Sequence, residues 1–229
     1  MKILGLIGGT SWYSTEAYYR LINEKVAERL GAQTNPEMIL YSIRIDIMRE
    51  QDWDVINRKY LEVAQKLENA GAEGILICAN TPHKVYDYVQ PRITIPILHI
   101  ARATGKEAQK RSMKTLGLLG NKPTMTGGYI PEILEKEFGL QTLIPEHEAT
   151  IDKSHYFVGK ELTQGKFTDK ARSFYSEQIE RLRERGADGI ILGCTELPLL
   201  IDNEQSSLPL LPTTELHAEM AVDFILEEN

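Results

Sequence analysis

Two cysteines sit at the ends of apolar runs, each just ahead of a helix-start signal. Cys194 closes the run in GIILGCTELPLL, and Thr195-Glu196-Leu197-Pro198 follow it. Thr195 suits an N-cap and Glu196 suits a first helical turn. A thiol at a helix N-terminus feels unpaired N–H groups, so its pKa is expected to fall. A thiolate there is a nucleophile or a proton acceptor. The same residues also fit a buried core cysteine. Cys78 lies in GILICANTPHKV, where Thr81 reads as a cap and Pro82 as the first helical residue. Free N–H groups at that start would make an anion site around Asn80 and Thr81, although a plain cap also explains Thr81 and Pro82.

Gly8-Gly9-Thr10-Ser11 follows the first apolar run. Glycine there lets backbone N–H groups approach a carboxylate or phosphate. The stretch is neither GxGxxG nor GxxxxGK[ST], and a tight turn accounts for it equally well. Thr124 and Thr126 follow the corresponding run of the second half and could serve the same role. The five histidines, His83, His99, His147, His155 and His217, form no metal-binding spacing. His83 and Lys84 lie just inside a helix near the proposed site. Arg44, Arg49, Lys160 and Lys166 are cations that could meet a substrate carboxylate, or simply solvent.

The elements that must position these groups alternate strictly. Apolar runs at 2–8, 37–43, 75–80, 95–100, 115–120, 140–145, 190–193 and 208–212 read as strands. Helical spacing fills most of the intervals, including a long helix at about 168–185 and a last one from about 214. Strands apolar on both faces, alternating with helices, imply an α/β fold with parallel sheets covered on both sides.

The chain has 229 residues and a net charge of −7, with 42% hydrophobic and 26% charged residues. Such a balance argues against a nucleic-acid partner or an anionic membrane surface, and no run is long enough for a membrane span. The opening MKILGLIGG reads as a buried strand rather than a leader, so a cytoplasmic setting is expected. Two cysteines do not make a disulfide framework.

An internal repeat organises the chain. MKILGLIGG at 1–9 matches MKTLGLLGN at 113–121, and LENAGAEGILICANT at 67–81 matches LRERGADGIILGCTE at 182–196. The offsets, 112 and 115, are too long for a solenoid. They imply two similar Rossmann-like lobes related by a pseudo-twofold, 1–97 plus 213–229 and 98–212, with the site in a cleft at the carboxyl ends of their strands. The alignment pairs Cys78 with Gly193, Ala79 with Cys194 and Asn80 with Thr195.

On these motifs the chain resembles the aspartate/glutamate racemase family, in particular its broad aspartate/glutamate branch. IGGTSWYSTEAYYRLIN is similar to the family's opening loop and helix, CANTPHKV to its asparagine-threonine-histidine motif, GCTELPLL to its second cysteine motif, and TELHAE to its last helix. The resemblance implies a two-lobed fold, a cofactor-independent isomerase, an acidic amino-acid substrate and a homodimer. It also implies a thiol from each lobe on either side of the substrate α-carbon. Cys194 matches the second-lobe cysteine, whereas Ala79 stands where the first-lobe cysteine belongs and cannot carry a proton. Three readings follow: a racemase whose opposite-face proton comes from water or Thr81, a one-base lyase or decarboxylase, and a binding protein for an acidic amino acid. The expected substrate-holding set is Gly9, Thr10, Ser11, Arg49, Asn80, Thr124, Thr195 and Glu196. One position of the basic pair used by some aspartate racemases falls near Arg49. The other falls near Thr163, which is not basic.

Overall fold

The computed structural model describes residues 1–227; positions 228 and 229 of the expected first lobe lie outside the described residues. In chain order the first half contains β1 (Leu4–Gly8), α1 (Trp12–Leu30), β2 (Met38–Ser42), α2 (Asp46–Arg49), α3 (Trp53–Asn69) and β3 (Gly74–Ile77). A 3₁₀ turn (Thr81–Val85) runs into α4 (Tyr86–Val89), and β4 (Ile97–Leu98) follows. Next come α5 (Ile100–Lys110), β5 (Thr115–Gly120), α6 (Lys122–Thr126), α7 (Tyr129–Phe138), β6 (Gln141–Leu143) and α8 (Glu148–Lys160). The chain ends with α9 (Asp169–Glu184), β7 (Gly189–Gly193), α10 (Leu197–Leu200), β8 (Leu210–Pro212) and α11 (Thr213–Leu226).

Two parallel four-stranded sheets result, ordered β2-β1-β3-β4 and β6-β5-β7-β8. The chain divides into two compact units: Met1–His99 together with the chain from His217, and Ile100–Leu216. Strands β1, β3 and β7 are buried along their whole length, as strands covered by helices on both faces must be.

The apolar periodicity of the helices explains the covering layers. On α3, Ile56, Tyr60, Val63, Ala64 and Leu67 form one buried stripe that packs with Ile7, Ile75 and Ile77. On α9, Phe174, Tyr175, Ile179 and Leu182 pack with Leu119, Ile190 and Leu192. Each such aliphatic side chain contributes roughly 1.5–3 kcal/mol when fully buried. The opposite face of the first sheet packs Leu4, Leu6, Leu76 and Cys78 with Tyr18, Ile22 and Val26 of α1 and Ala218, Ala221 and Val222 of α11.

Helix α8 occupies a stretch that the apolar pattern leaves unassigned. Its buried stripe, Ile151, Ser154, Phe157 and Val158, is interrupted by a polar residue, and its N-cap, His147, makes no capping bond through its side chain. Strand β3 stops at Ile77, short of the expected residue 80, although the Cys78 N–H still bonds Ile7 O.

Candidate active site

The sheet registers carry the repeat down to single residues. In the first sheet Leu4 pairs with Gly74 and Ile7 with Ile77. In the second, Leu116 pairs with Gly189 and Leu119 with Leu192. The matched strands therefore start and run in the same register. Counting on from their ends places Cys78 with Gly193 and Ala79 with Cys194.

That register explains the displaced cysteine. Cys78 is buried among the α1 and α11 side chains, and burial pushes its thiol pKa up. Its carbonyl accepts a 2.7 Å hydrogen bond from Ser14 Oγ. In the second lobe Thr124 crowds the equivalent backbone. A Cβ built on Gly193 would lie 3.0 Å from Thr124 Cγ2 and 3.0 Å from Leu119 O, so the smaller glycine stands there. Cys78 is a packing residue of its lobe.

At the end of β7, Cys194 is only 8% exposed. Its Sγ donates to Glu196 Oε2 at 2.8 Å, and Thr195 Oγ1 donates to the same oxygen at 2.8 Å. Glu196 is itself buried, and its Oε1 has no partner among the described residues. Here the expectation of a depressed thiol pKa is overturned. Burial, then the neighbouring Glu196 carboxylate, raise the Cys194 pKa well above its usual value; the backbone N–H groups of Glu196 and Leu197 oppose this and do not win. Helix α10 is only four residues long, and its N-cap is Glu196, without a capping bond, rather than Thr195. Such a short helix has little dipole to offer. Glu196 faces the thiol, not a free carboxylate-binding position.

In the first lobe, Ala79 is partly exposed at the matched place. Asn80 is 6% exposed, and its Oδ1 has no partner among the described residues. The N-cap of the following 3₁₀ turn is Asn80, one place before the expected Thr81, and the turn is five residues long. His83 holds this strand end through Nδ1, which donates to Ala79 O at 2.8 Å and lies 3.2 Å from Asn80 O. Its ring packs against His99 and His217, with centroids 4.7 and 5.2 Å away. His217 Nε2 donates to Leu98 O at 2.7 Å, so its Nδ1 accepts from Tyr18 at 2.9 Å. All three rings are buried. No group of three or more His, Cys, Asp or Glu among the described residues is arranged to hold a metal ion.

The loop after β1 is differently employed than expected. The Gly9 N–H is taken by Thr15 Oγ1 at 3.0 Å and is not open to a ligand. Its φ is +92°, and a Cβ at this position would collide with Ile43 O, so glycine is obligatory for the turn itself. Ser11 caps α1, accepting from the Ser14 N–H at 3.3 Å. Thr10, partly exposed, meets the hydroxyl of buried Tyr60 at 2.9 Å. Thr124 is fully buried beneath Tyr129, whose hydroxyl donates to it at 3.3 Å, so it is withdrawn from any ligand. Arg49 is exposed at the end of α2, while Arg44 pairs with Asp46.

Sequence reasoning missed Tyr60 and Tyr175. They stand 115 positions apart, the offset of the second repeat block. That coincidence, on the buried faces of α3 and α9, is the signal that could have found them.

Comparison with known proteins agrees with this layout. The chain is 25% identical to the broad specificity amino-acid racemase RacX of Bacillus subtilis over 229 residues, 98% of each chain. A Yersinia pestis crystal structure, provisionally described as an Asp/Glu racemase, superposes with a TM-score of 0.92 at 36% identity, covering 99% of this chain and 100% of that one. An aspartate racemase homologue from Pyrococcus horikoshii superposes with a TM-score of 0.86 at 32% identity over the same shares. The Asp/Glu/Hydantoin racemase family profile matches residues 7–221, and the chain belongs to that family.

Proposed function

We propose that the protein is a cofactor-independent racemase-type isomerase acting on aspartate, glutamate or a related carboxylate, with Cys194 as its acid/base. One observation carries this reading: the 2.8 Å contact between Cys194 Sγ and the buried Glu196 carboxylate. A thiol kept protonated by burial needs a base at contact distance before it can accept a proton, and Glu196 is that base. Glu196 Oε2 takes the Sγ proton, and the thiolate removes the α-proton of the substrate. The carbanion is then reprotonated on its other face, where Ala79 offers nothing and Thr81 or a bound water supplies the proton. In reverse, the Cys194 thiol donates and Glu196 returns its proton to sulfur. Assembly as a homodimer in the cytoplasm belongs to the same proposal, and sedimentation of the purified chain tests the dimer.

Ala79 also favours a second reading, a one-base enzyme that protonates a carbanion on a single face. Incubation with L- and D-aspartate and glutamate in D₂O, followed by NMR and chiral analysis, separates the two. Deuteration with inversion is expected. Exchange with retention would favour the one-base reading. Cys194→Ala should abolish exchange, and Glu196→Gln should slow it by about 100-fold or more, the lower range for loss of an acid/base group. A Glu196→Gln enzyme as fast as the parent would refute the assigned pair.

A further inference from the structure

Helix α9 carries a stripe of cationic and amide side chains that the proposed chemistry does not use. Gln178, Arg181, Leu182 and Arg185 recur at i, i+3, i+4 and i+7 on α9 and its C-cap, a spacing that sets them on one face. They line a niche of about 280 Å³, its open mouth included, within the second lobe. Glu146, His147 and Thr150 line it from the other side, where the chain after β6 enters α8.

The floor of the niche is polar and unspent. Gln178 is only 5% exposed, and burying an amide without a partner is costly. Among the described residues nothing hydrogen-bonds the Gln178 side chain, whose amide is left facing the niche. Helix α8 is 13 residues long, and its N-cap, His147, makes no capping bond through its side chain. The first N–H groups of such a helix are open to an anion.

Both guanidinium groups are steadied from outside the niche. Arg185 Nη1 donates to Ile144 O at 2.7 Å, and its Nε lies 3.2 Å from Glu146 Oε1. Arg181 Nη2 donates to Glu177 Oε1 at 2.6 Å. A guanidinium has five N–H donors, so each arginine keeps several to offer. Glu146 and Glu177 are exposed; ion pairs of this kind hold weakly and yield to a better anion.

We propose that this niche binds a phosphoryl group, carried by a phosphate monoester or by free phosphate. Two arginines match a group that carries close to two negative charges at neutral pH. Their forks, the Gln178 amide and the start of α8 with Thr150 approach from different directions. A tetrahedral group with three or four oxygens can accept from all of them, whereas a planar carboxylate has two. Neither Cys194 nor Glu196 takes part, so the proposal stands apart from the racemase reading.

The test is calorimetric titration of the purified chain with inorganic phosphate, methyl phosphate and acetate at low ionic strength. Phosphate should bind once per chain, at least about tenfold more tightly than acetate, and more weakly as salt is added. Arg181→Gln and Gln178→Leu should each weaken it by about tenfold or more, the range for a hydrogen bond to a charged group. Glu177→Gln, which releases Arg181, should strengthen it. Arg183→Gln removes the same charge from the Arg183–Glu180 pair, outside the niche, and should change nothing. Methyl phosphate binding as well as phosphate would make a monoester the ligand, and binding of phosphate alone would make it the free ion; either supports the site. No phosphate binding, equal affinity for acetate, or equal losses in the Arg181 and Arg183 variants would overturn the proposal. So would displacement of phosphate by saturating L-aspartate, which would put it at the catalytic edge. Arg181 is exposed, so its variant decides the matter even if Gln178→Leu does not fold.

Discussion

Three buried imidazoles in one lobe make the protein's acid stability a quantitative test of the structure. His83 is enclosed by His99, which Tyr86 backs in turn, by His217 and by the Ala79–Asn80 backbone. Burial lowers its pKa from 6.5 to about 4, against the opposing effect of its backbone hydrogen bonds. His217 shifts the same way, through burial and then the proximity of His83. The folded pKa is depressed, so below pH 6.5 the unfolded chain binds the proton first. Stability from neutral His83 is therefore complete above pH 6.5 and falls as the pH drops toward 4. The shift is worth about 3 kcal/mol in full, of which about 2.5 kcal/mol is lost by pH 4.5. Urea unfolding followed by fluorescence at pH 4.5–8 measures it. Carboxylates contribute to the same slope, so the comparison is with His83→Asn, whose amide can still donate to Ala79 O. The stability gap between parent and variant should shrink by about 2.5 kcal/mol between pH 7.5 and pH 4.5. Parallel curves would show that His83 titrates normally and that the imidazole cluster is open to water.

Two further outcomes follow from the matched strands. Cys78→Ala should lower stability by about 1–2 kcal/mol through a small core cavity and leave α-proton exchange intact; loss of exchange in a folded variant would reassign the acid/base. Ala79→Cys should raise two-sided racemisation, measured as the rate of D-aspartate formation, because it restores a proton carrier at the place matched to Cys194. An unchanged rate in a folded variant would count against that placement.

The alternation of strands and helices was legible because parallel strands buried on both faces must be continuous apolar runs, as in LGLIG and GIILG. The placement of Cys78 opposite Gly193 was legible too, because the repeat fixes register before any contact is known. Other features depend on three-dimensional detail. The Cys194 pKa goes up because the thiol is buried and because Glu196, two residues on, folds back onto the sulfur; propensity alone suggested only a helix start. Gly9 suggested a ligand loop, yet its N–H serves Thr15. The cluster of His83, His99 and His217 joins residues far apart in the chain, and no spacing rule reports it.

The two lobes share a register and differ in what they place at its end, and the difference has an electrostatic logic. Near a protein surface, two like charges 4 Å apart repel by about 4 kcal/mol. A carboxylate held beside ionised Glu196 would meet that cost and would also raise the Cys194 pKa further, making the thiolate harder to reach. Neutral groups fill the corresponding edge of the first lobe: Thr10, Asn80, Thr81 and an uncharged His83. In this chain Ala79 leaves the first edge without a sulfur as well, so the groups at that strand end carry no negative charge to repel an anion.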